Sequence, residues 1–230
     1  MKKVLVIHPD LPNDSFISKI SKPAALKVIN KAIGEGWTVT SLSGNNANKT
    51  NVNAKLNDPL FKFVLHFDHG DKDALGGQNN DQKQVVIDNT NVDKLNGMVV
   101  STLSCFSAWP GGIGSSAITN GAKAYLGYSS TYWPWYGEND CLCDFFINAA
   151  SAAKHALLEG KKFQEACQIG KTAHYEAASF LLQIRNIIQM YFTPSEELED
   201  IIDDLETAAG CLEWCGDHLT VLGDPTQKAI

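Results

Sequence analysis

FVLHFDHG, residues 63–70, is a run of apolar residues that ends on a histidine and a glycine. The run is continuous rather than alternating, as in a strand buried on both faces, and the strand reads as Phe61 to Phe67. MVVSTLSC, residues 98–105, has the same form and ends on a cysteine. Its strand reads as Met98 to Ser104. In open α/β sheets, ligands bind beyond the carboxyl ends of parallel strands, and neighbouring strands lie roughly 4.8 Å apart. If these two strands are adjacent and parallel, His69 and Cys105 meet across one crevice. The connection between them is long enough for a crossover carrying a hairpin. A histidine beside a thiol supports nucleophilic catalysis, because the thiolate attacks and the imidazole manages its proton. Gly70, lacking a Cβ, lets its backbone N–H approach a substrate carbonyl oxygen and form an oxyanion hole with the N–H of Cys105.

Outward from this pair, the chain alternates strands with helices. VLVI in Lys3 to His8 reads as a first buried strand stopped by Pro9. Pro23 opens a helix with apolar Ala25, Leu26, Ile29 and Ile33, which ends near Gly34 and Gly36. Trp37 to Leu42 is a second strand. The Asn-rich stretch after it is a surface loop with room for a short helix, and the Gly-Gly tract from Asp71 to Asp88 suits a small hairpin. WPGGIGSSAITNG is a glycine-rich loop opening a short helix. Ala122 to Tyr128 is a fifth strand. Helical patterns follow from Cys141, and Thr193 with Glu196 has capping-box spacing for the last of them. HLTVLGDP supplies a sixth strand. The expected fold is therefore α/β: a central, mainly parallel sheet of about six strands with helices on both faces.

Composition sets outer bounds. A chain of 230 residues with 44% hydrophobic and 20% charged residues suits one soluble domain, residues 1–230. The net charge of −7, with no basic patch visible in the sequence, argues against nucleic acid as a partner. No apolar run has the length of a membrane span or a secretory signal, so a cytoplasmic location is expected. The six cysteines are scattered and read as reduced thiols.

The ordered motifs resemble those of the caspase-fold cysteine peptidases, in the gingipain-type and CHAT-domain branch. Apolar-His-Gly at 63–70 and the block ending in Ser104-Cys105 are similar to that family's two catalytic strand ends. GAKAYLGYSSTYW (121–133) looks like the strand and substrate-binding loop after the nucleophile, and VLGDP (221–225) resembles the LxGDP ending. The matches run in order from about Phe61 to Pro225. The resemblance implies a caspase-like three-layer sandwich and a cysteine endopeptidase acting on a peptide or protein substrate without a cofactor. It also implies roles: His69 as general base, Cys105 as nucleophile, Gly70 at the oxyanion hole. Asp68 stands where the family commonly has glycine. LSCFS replaces the Gln-Ala-Cys-x-Gly pattern, so strict aspartate specificity is not implied.

The family builds its specificity pocket from the loop after the first strand, the residues before the cysteine and the loop after the following strand. Here these regions contain Asp10, Ser104, Tyr132, Trp133, Glu138 and Asp140. Aromatic walls with acids suit a long cationic side chain, so Arg or Lys is expected before the scissile bond. Glu138 and Asp140 also have a plainer reading, as acids at the start of the helix near Cys141.

Two other classes compete. His66, Asp68, His69 and Asp71 approximate the HxHxDH cluster of metal-dependent hydrolases, but its first ligand would fall on Val64, which binds no metal. Cys211, Cys215 and His218 suggest zinc without a second spaced pair to complete a site. A non-catalytic binding module would use the same crevice. His66, inside its strand, reads as a packed residue rather than a second base.

Overall fold

The computed structural model describes residues 2–80, 82–136 and 140–229. In chain order the elements are β1 (Lys3–His8), α1 (Lys22–Gly34), β2 (Thr38–Ser43), α2 (Lys49–Leu56), β3 (Phe63–Phe67), β4 (Ala74–Asn79), β5 (Gln82–Asp88), β6 (Val99–Leu103), α3 (Ile113–Thr119), β7 (Ala124–Tyr128), α4 (Cys143–Leu158), α5 (Phe163–Tyr191), α6 (Glu196–His218) and β8 (Leu219–Gly223). Six strands form one sheet in the order β2-β1-β3-β6-β7-β8, and β4 with β5 forms a separate hairpin. All neighbours in the large sheet are parallel except β8, which runs antiparallel to β7.

Alternation along the strands divides the interior into two layers. Phe63, Leu65 and Phe67 of β3 and Val99 and Leu103 of β6 face the layer packed by α1, α4, α5 and α6. Val64 and Val100 face the other way, toward α2, α3 and the β4–β5 hairpin. All five β3 side chains are buried, which explains why its sequence is apolar without a period of two. This is the expected three-layer arrangement.

Several details differ from the sequence reading. The N-cap of α6 is Ser195, whose hydroxyl accepts from the Leu198 N–H, so the Thr193–Glu196 spacing is not used. The helix starts one residue beyond Ser195, and Pro194 precedes the cap instead of filling the first helical position. The Asn-rich loop does fold a helix, α2, capped by the Asn48 side chain. A basic patch does exist. Lys2, Lys3, Lys62, Lys123 and Lys228 border a cavity of about 410 Å³ with no acid among its lining residues. Strand order gathers these lysines at the amino edge of the sheet, opposite His69 and Cys105. All six cysteines are free thiols. Among the described residues, no helix is long and apolar enough to cross a membrane.

Candidate active site

β3 and β6 are adjacent and parallel, with Phe67 level with Leu103, and the Asp68 N–H still donates to Leu103 O. His69 and Cys105 each lie two residues past these strand ends, at the same edge of the sheet. Alternation then puts both on the face that carries Phe67 and Leu103. Contacts agree: the His69 ring lies 5.0 Å from Phe16, and Cys105 packs against the same core layer. The intervening residues, Asp68 and Ser104, fall on the opposite face.

His69 Nε2 is 2.9 Å from Asp14 Oδ2. Sequence reading missed Asp14. Its Oδ1 accepts from the Ile17 N–H, which is N-cap behaviour that PNDSF advertises, but the contact with His69 spans 55 positions. Lys83, on β5, reaches the same Asp14 oxygen at 2.6 Å. Burial would raise the Asp14 carboxyl, but hydrogen bonds from Lys83, the Ile17 N–H and His69 outweigh it and hold it at about 2. Asp14 therefore stays an anion through the neutral range and favours the His69 tautomer that donates from Nε2, leaving Nδ1 to accept a proton.

Cys105 is half-buried, and its thiol faces the Tyr132 carbonyl at 3.7 Å. Burial pushes the thiol pKa up, and backbone groups at Tyr132 and Cys105 offset this only in part. Phe106, the next residue, has φ 51° and its N–H donates to Ser130 O. This left-handed turn, uncommon for a large side chain, follows the cysteine directly and redirects the chain beyond β6.

Gly70 sits where a side chain would not fit. A Cβ would lie 2.9 Å from Ser104 Cβ and 3.0 Å from Cys105 O. Gly70 bridges Leu75 antiparallel, but the flanking bonds are Gly76 N–H to His69 O and Asp71 N–H to Ala74 O. In such a pair the Gly70 N–H points away from the hairpin. A cavity of about 240 Å³ opens beside it, bordered by His69, Gly70, Asp71, Leu75, Lys83 and Val85.

The pocket residues separate into distinct groups. Ser104 has no exposed surface, and its hydroxyl pairs with His66 Nδ1 at 2.9 Å. The ring's Nε2 meets Gly76 O at 2.7 Å. Since a carbonyl only accepts, Nε2 carries the proton and the Ser104 hydroxyl donates to Nδ1. Burial lowers the His66 pKa to about 4. His66 is thus a neutral, fully used core residue, and Ser104 backs the site instead of lining it. Tyr132 is also a core residue, with its hydroxyl donating to Phe146 O and its ring against Tyr128. Trp133 is exposed. Asp10 pairs with Lys22 at 2.7 Å and Asp140 with Lys19 at 2.6 Å. The turn before α1 and the start of α1 thus bring lysines to two of these acids. Glu138 lies outside the described residues.

The HxDHxD cluster does not converge. His66 is fully occupied, Asp68 accepts from the His69 N–H, and Asp71 folds back on the N–H groups of Asp73 and Ala74. Among the described residues, no group of three or more His, Cys, Asp or Glu side chains could hold a metal ion. Cys215 instead accepts from the Trp133 N–H, and His218 stacks on Trp214.

No family model and no curated protein matches the sequence. Solved structures resemble the chain, among them two described as proteases. The Arg-specific cysteine proteinase gingipain R superposes with a TM-score of 0.60 at 14% identity, over 98% of this chain and 47% of that one. A structure described as a protease gives 0.57 at 13% identity, over 97% and 48%. The chain thus spans about half the length of each. It has a caspase-like fold, as gingipain R does.

Proposed function

We propose that the protein is a cysteine endopeptidase in which Cys105 is the nucleophile and His69 the general base. One observation supports this reading: β3 and β6 are adjacent and parallel, and His69 and Cys105 each follow the carboxyl end of their strand by two residues. Because the Cys105 thiol is raised, its proton must leave as the sulfur attacks the carbonyl carbon. His69 takes that proton, and the N–H groups of Gly70 and Cys105 receive the developing oxyanion. The imidazolium then protonates the departing amine. Water, deprotonated by His69, releases the acyl group from sulfur. Asp14 holds the ring through its contact with Nε2, a positioning role. The test is hydrolysis of a peptide library by wild type and by Cys105→Ala, with a parallel chelator arm. Full hydrolysis by the variant, removed by the chelator, would establish the metal reading instead.

Asp14→Asn should lower kcat by about one to two orders of magnitude with little change in KM, since acid–base positioning acts on the chemical step. Asp14→Glu, which keeps the carboxylate, should restore part of the lost rate. An unchanged kcat in Asp14→Asn would reduce Asp14 to the helix cap it also is.

Before the scissile bond, Arg or Lys is expected over Asp. Lys19 already acts as a stand-in: its ammonium lies 5.4 Å over the Tyr136 ring and pairs with Asp140. Exposed pairs of this kind contribute little to stability, so a substrate ammonium or guanidinium can replace the lysine readily. A library profile with cleavage after Asp would overturn this pocket assignment and leave the His69–Cys105 pair untouched.

A further inference from the structure

α5 and α6 are much longer than the sheet requires. A helix of 29 residues extends on the order of 40 Å, yet between Leu181 and Leu205 no side chain is buried. The distal halves of both helices form an arm whose side chains are at most half-buried. On α5, Ile184, Ile187, Ile188 and Tyr191 recur at helical spacing, and on α6 Leu198, Ile201 and Ile202 do the same. One part of each stripe closes the hairpin. The rest faces solvent: Ile187 is 55% exposed, Met190 72%, Tyr191 74% and Phe192 57%. A groove of about 330 Å³ runs along the tip between Ile188, Phe192, Leu198 and Ile202, with Glu199 and Asp203 at its margin. Contiguous apolar surface rimmed by polar residues marks an interaction site.

Charge identifies the occupant. Seven acids fall between Glu196 and Glu206, and no Lys or Arg occurs between Arg185 and Lys228. Arg185 itself pairs with Glu206. A second copy of this chain would set one acidic arm against another, which like-charge repulsion opposes. A helix with an apolar face flanked by Lys and Arg fills the groove and neutralises its margin.

The arm also reaches the candidate nucleophile. α6 holds the loop after β7 at three points: Trp135 Nε1 donates to Asp204 Oδ1 at 2.9 Å, Trp214 Nε1 to Thr131 O at 3.0 Å, and the Trp133 N–H to Cys215 Sγ at 3.4 Å. Tyr132, between these anchors, presents the carbonyl that the Cys105 thiol faces. We propose that the arm tip docks a basic amphipathic helix of a partner protein, and that docking shifts α6 and so the loop against Cys105. The regulatory half rests on Cys105 being the nucleophile; the docking half does not.

The probe is a labelled Leu/Lys amphipathic peptide, with a Leu/Glu peptide of the same pattern as control. Fluorescence anisotropy with the intact chain should show salt-sensitive binding of the first only. Ile187→Glu and Tyr191→Glu, both at exposed positions, should each weaken it by about thirtyfold. Iodoacetamide labelling of Cys105, followed by mass spectrometry, needs no hydrolysis and stays readable if the protein proves catalytically silent. Bound peptide should change that labelling rate by about fivefold. Trp135→Phe, which removes the bond to Asp204, should keep binding and lose the change in rate. Failure of the Leu/Lys peptide to bind, equal binding of the Leu/Glu peptide, or a dimer broken by Tyr191→Glu would overturn the docking site. Binding without any change at Cys105 would overturn the coupling.

Discussion

Cys105→Ala is expected to abolish peptide hydrolysis, and His69→Ala to lower kcat/KM by about 10² to 10⁴-fold, each without loss of fold. The two effects should not add. Once the nucleophile is gone, removing the base has nothing left to slow, so the double variant should match Cys105→Ala alone. The pH dependence separates a working pair from two neighbouring side chains. Burial raises the Cys105 thiol, so without a nearby base its thiolate forms only at alkaline pH. In His69→Ala, residual activity and alkylation of Cys105 should therefore climb with pH, through and beyond the range of an ordinary thiol. In wild type, His69 takes the proton during attack, and activity should already be present near neutrality. If the two profiles coincide, His69 does not serve Cys105, and the protein is better described as a binding module on this fold.

The sequence carried this pair because both residues end short, uninterrupted apolar strands. Such strands need no information from elsewhere in the chain to be recognised. The side of the sheet was misread for Ser104: strand alternation sends it behind Cys105, to its bond with His66, and not into the expected pocket. Other features depended on contacts between distant segments. Asp14 meets His69 only because the turn before α1 crosses the carboxyl edge of β3. Lys19 and Lys22 come from that same region to the acids of the pocket. The five lysines at the opposite edge belong to four segments that strand order alone brings together. Tyr132 and Trp133 are neighbours in an aromatic loop, and composition cannot say which is buried. Packing against Tyr128 and Phe16 takes Tyr132 inside.

Lys154→Met should raise the stability of the protein by several kcal/mol at neutral pH. Lys154 lies on the inner side of α4 with no exposed surface. Its ammonium donates to Ala150 O at 3.1 Å and stands 5.7 Å from the centre of the Phe67 ring. No carboxylate pairs with it among the described residues, and neighbouring His174 is itself kept neutral by burial, its pKa lowered to about 4. Burial lowers the Lys154 pKa from 10.5 to about 7. A displacement of this size corresponds to roughly 4–5 kcal/mol of differential stability, at about 1.4 kcal/mol per pH unit. Above pH 10.5 the lysine is neutral in both folded and unfolded chains and imposes no such cost. As pH falls, the unfolded chain takes up the proton first, so folding loses stability progressively down to about pH 7. Below that, the folded chain is protonated too, and the full cost persists. Methionine matches the unbranched stem without a group to desolvate. Its advantage in urea unfolding should therefore be greatest at pH 7 and below, shrink steadily above, and nearly vanish past pH 10.5. A gain independent of pH would point to packing alone, and a loss would mean that Lys154 has a buried anionic partner.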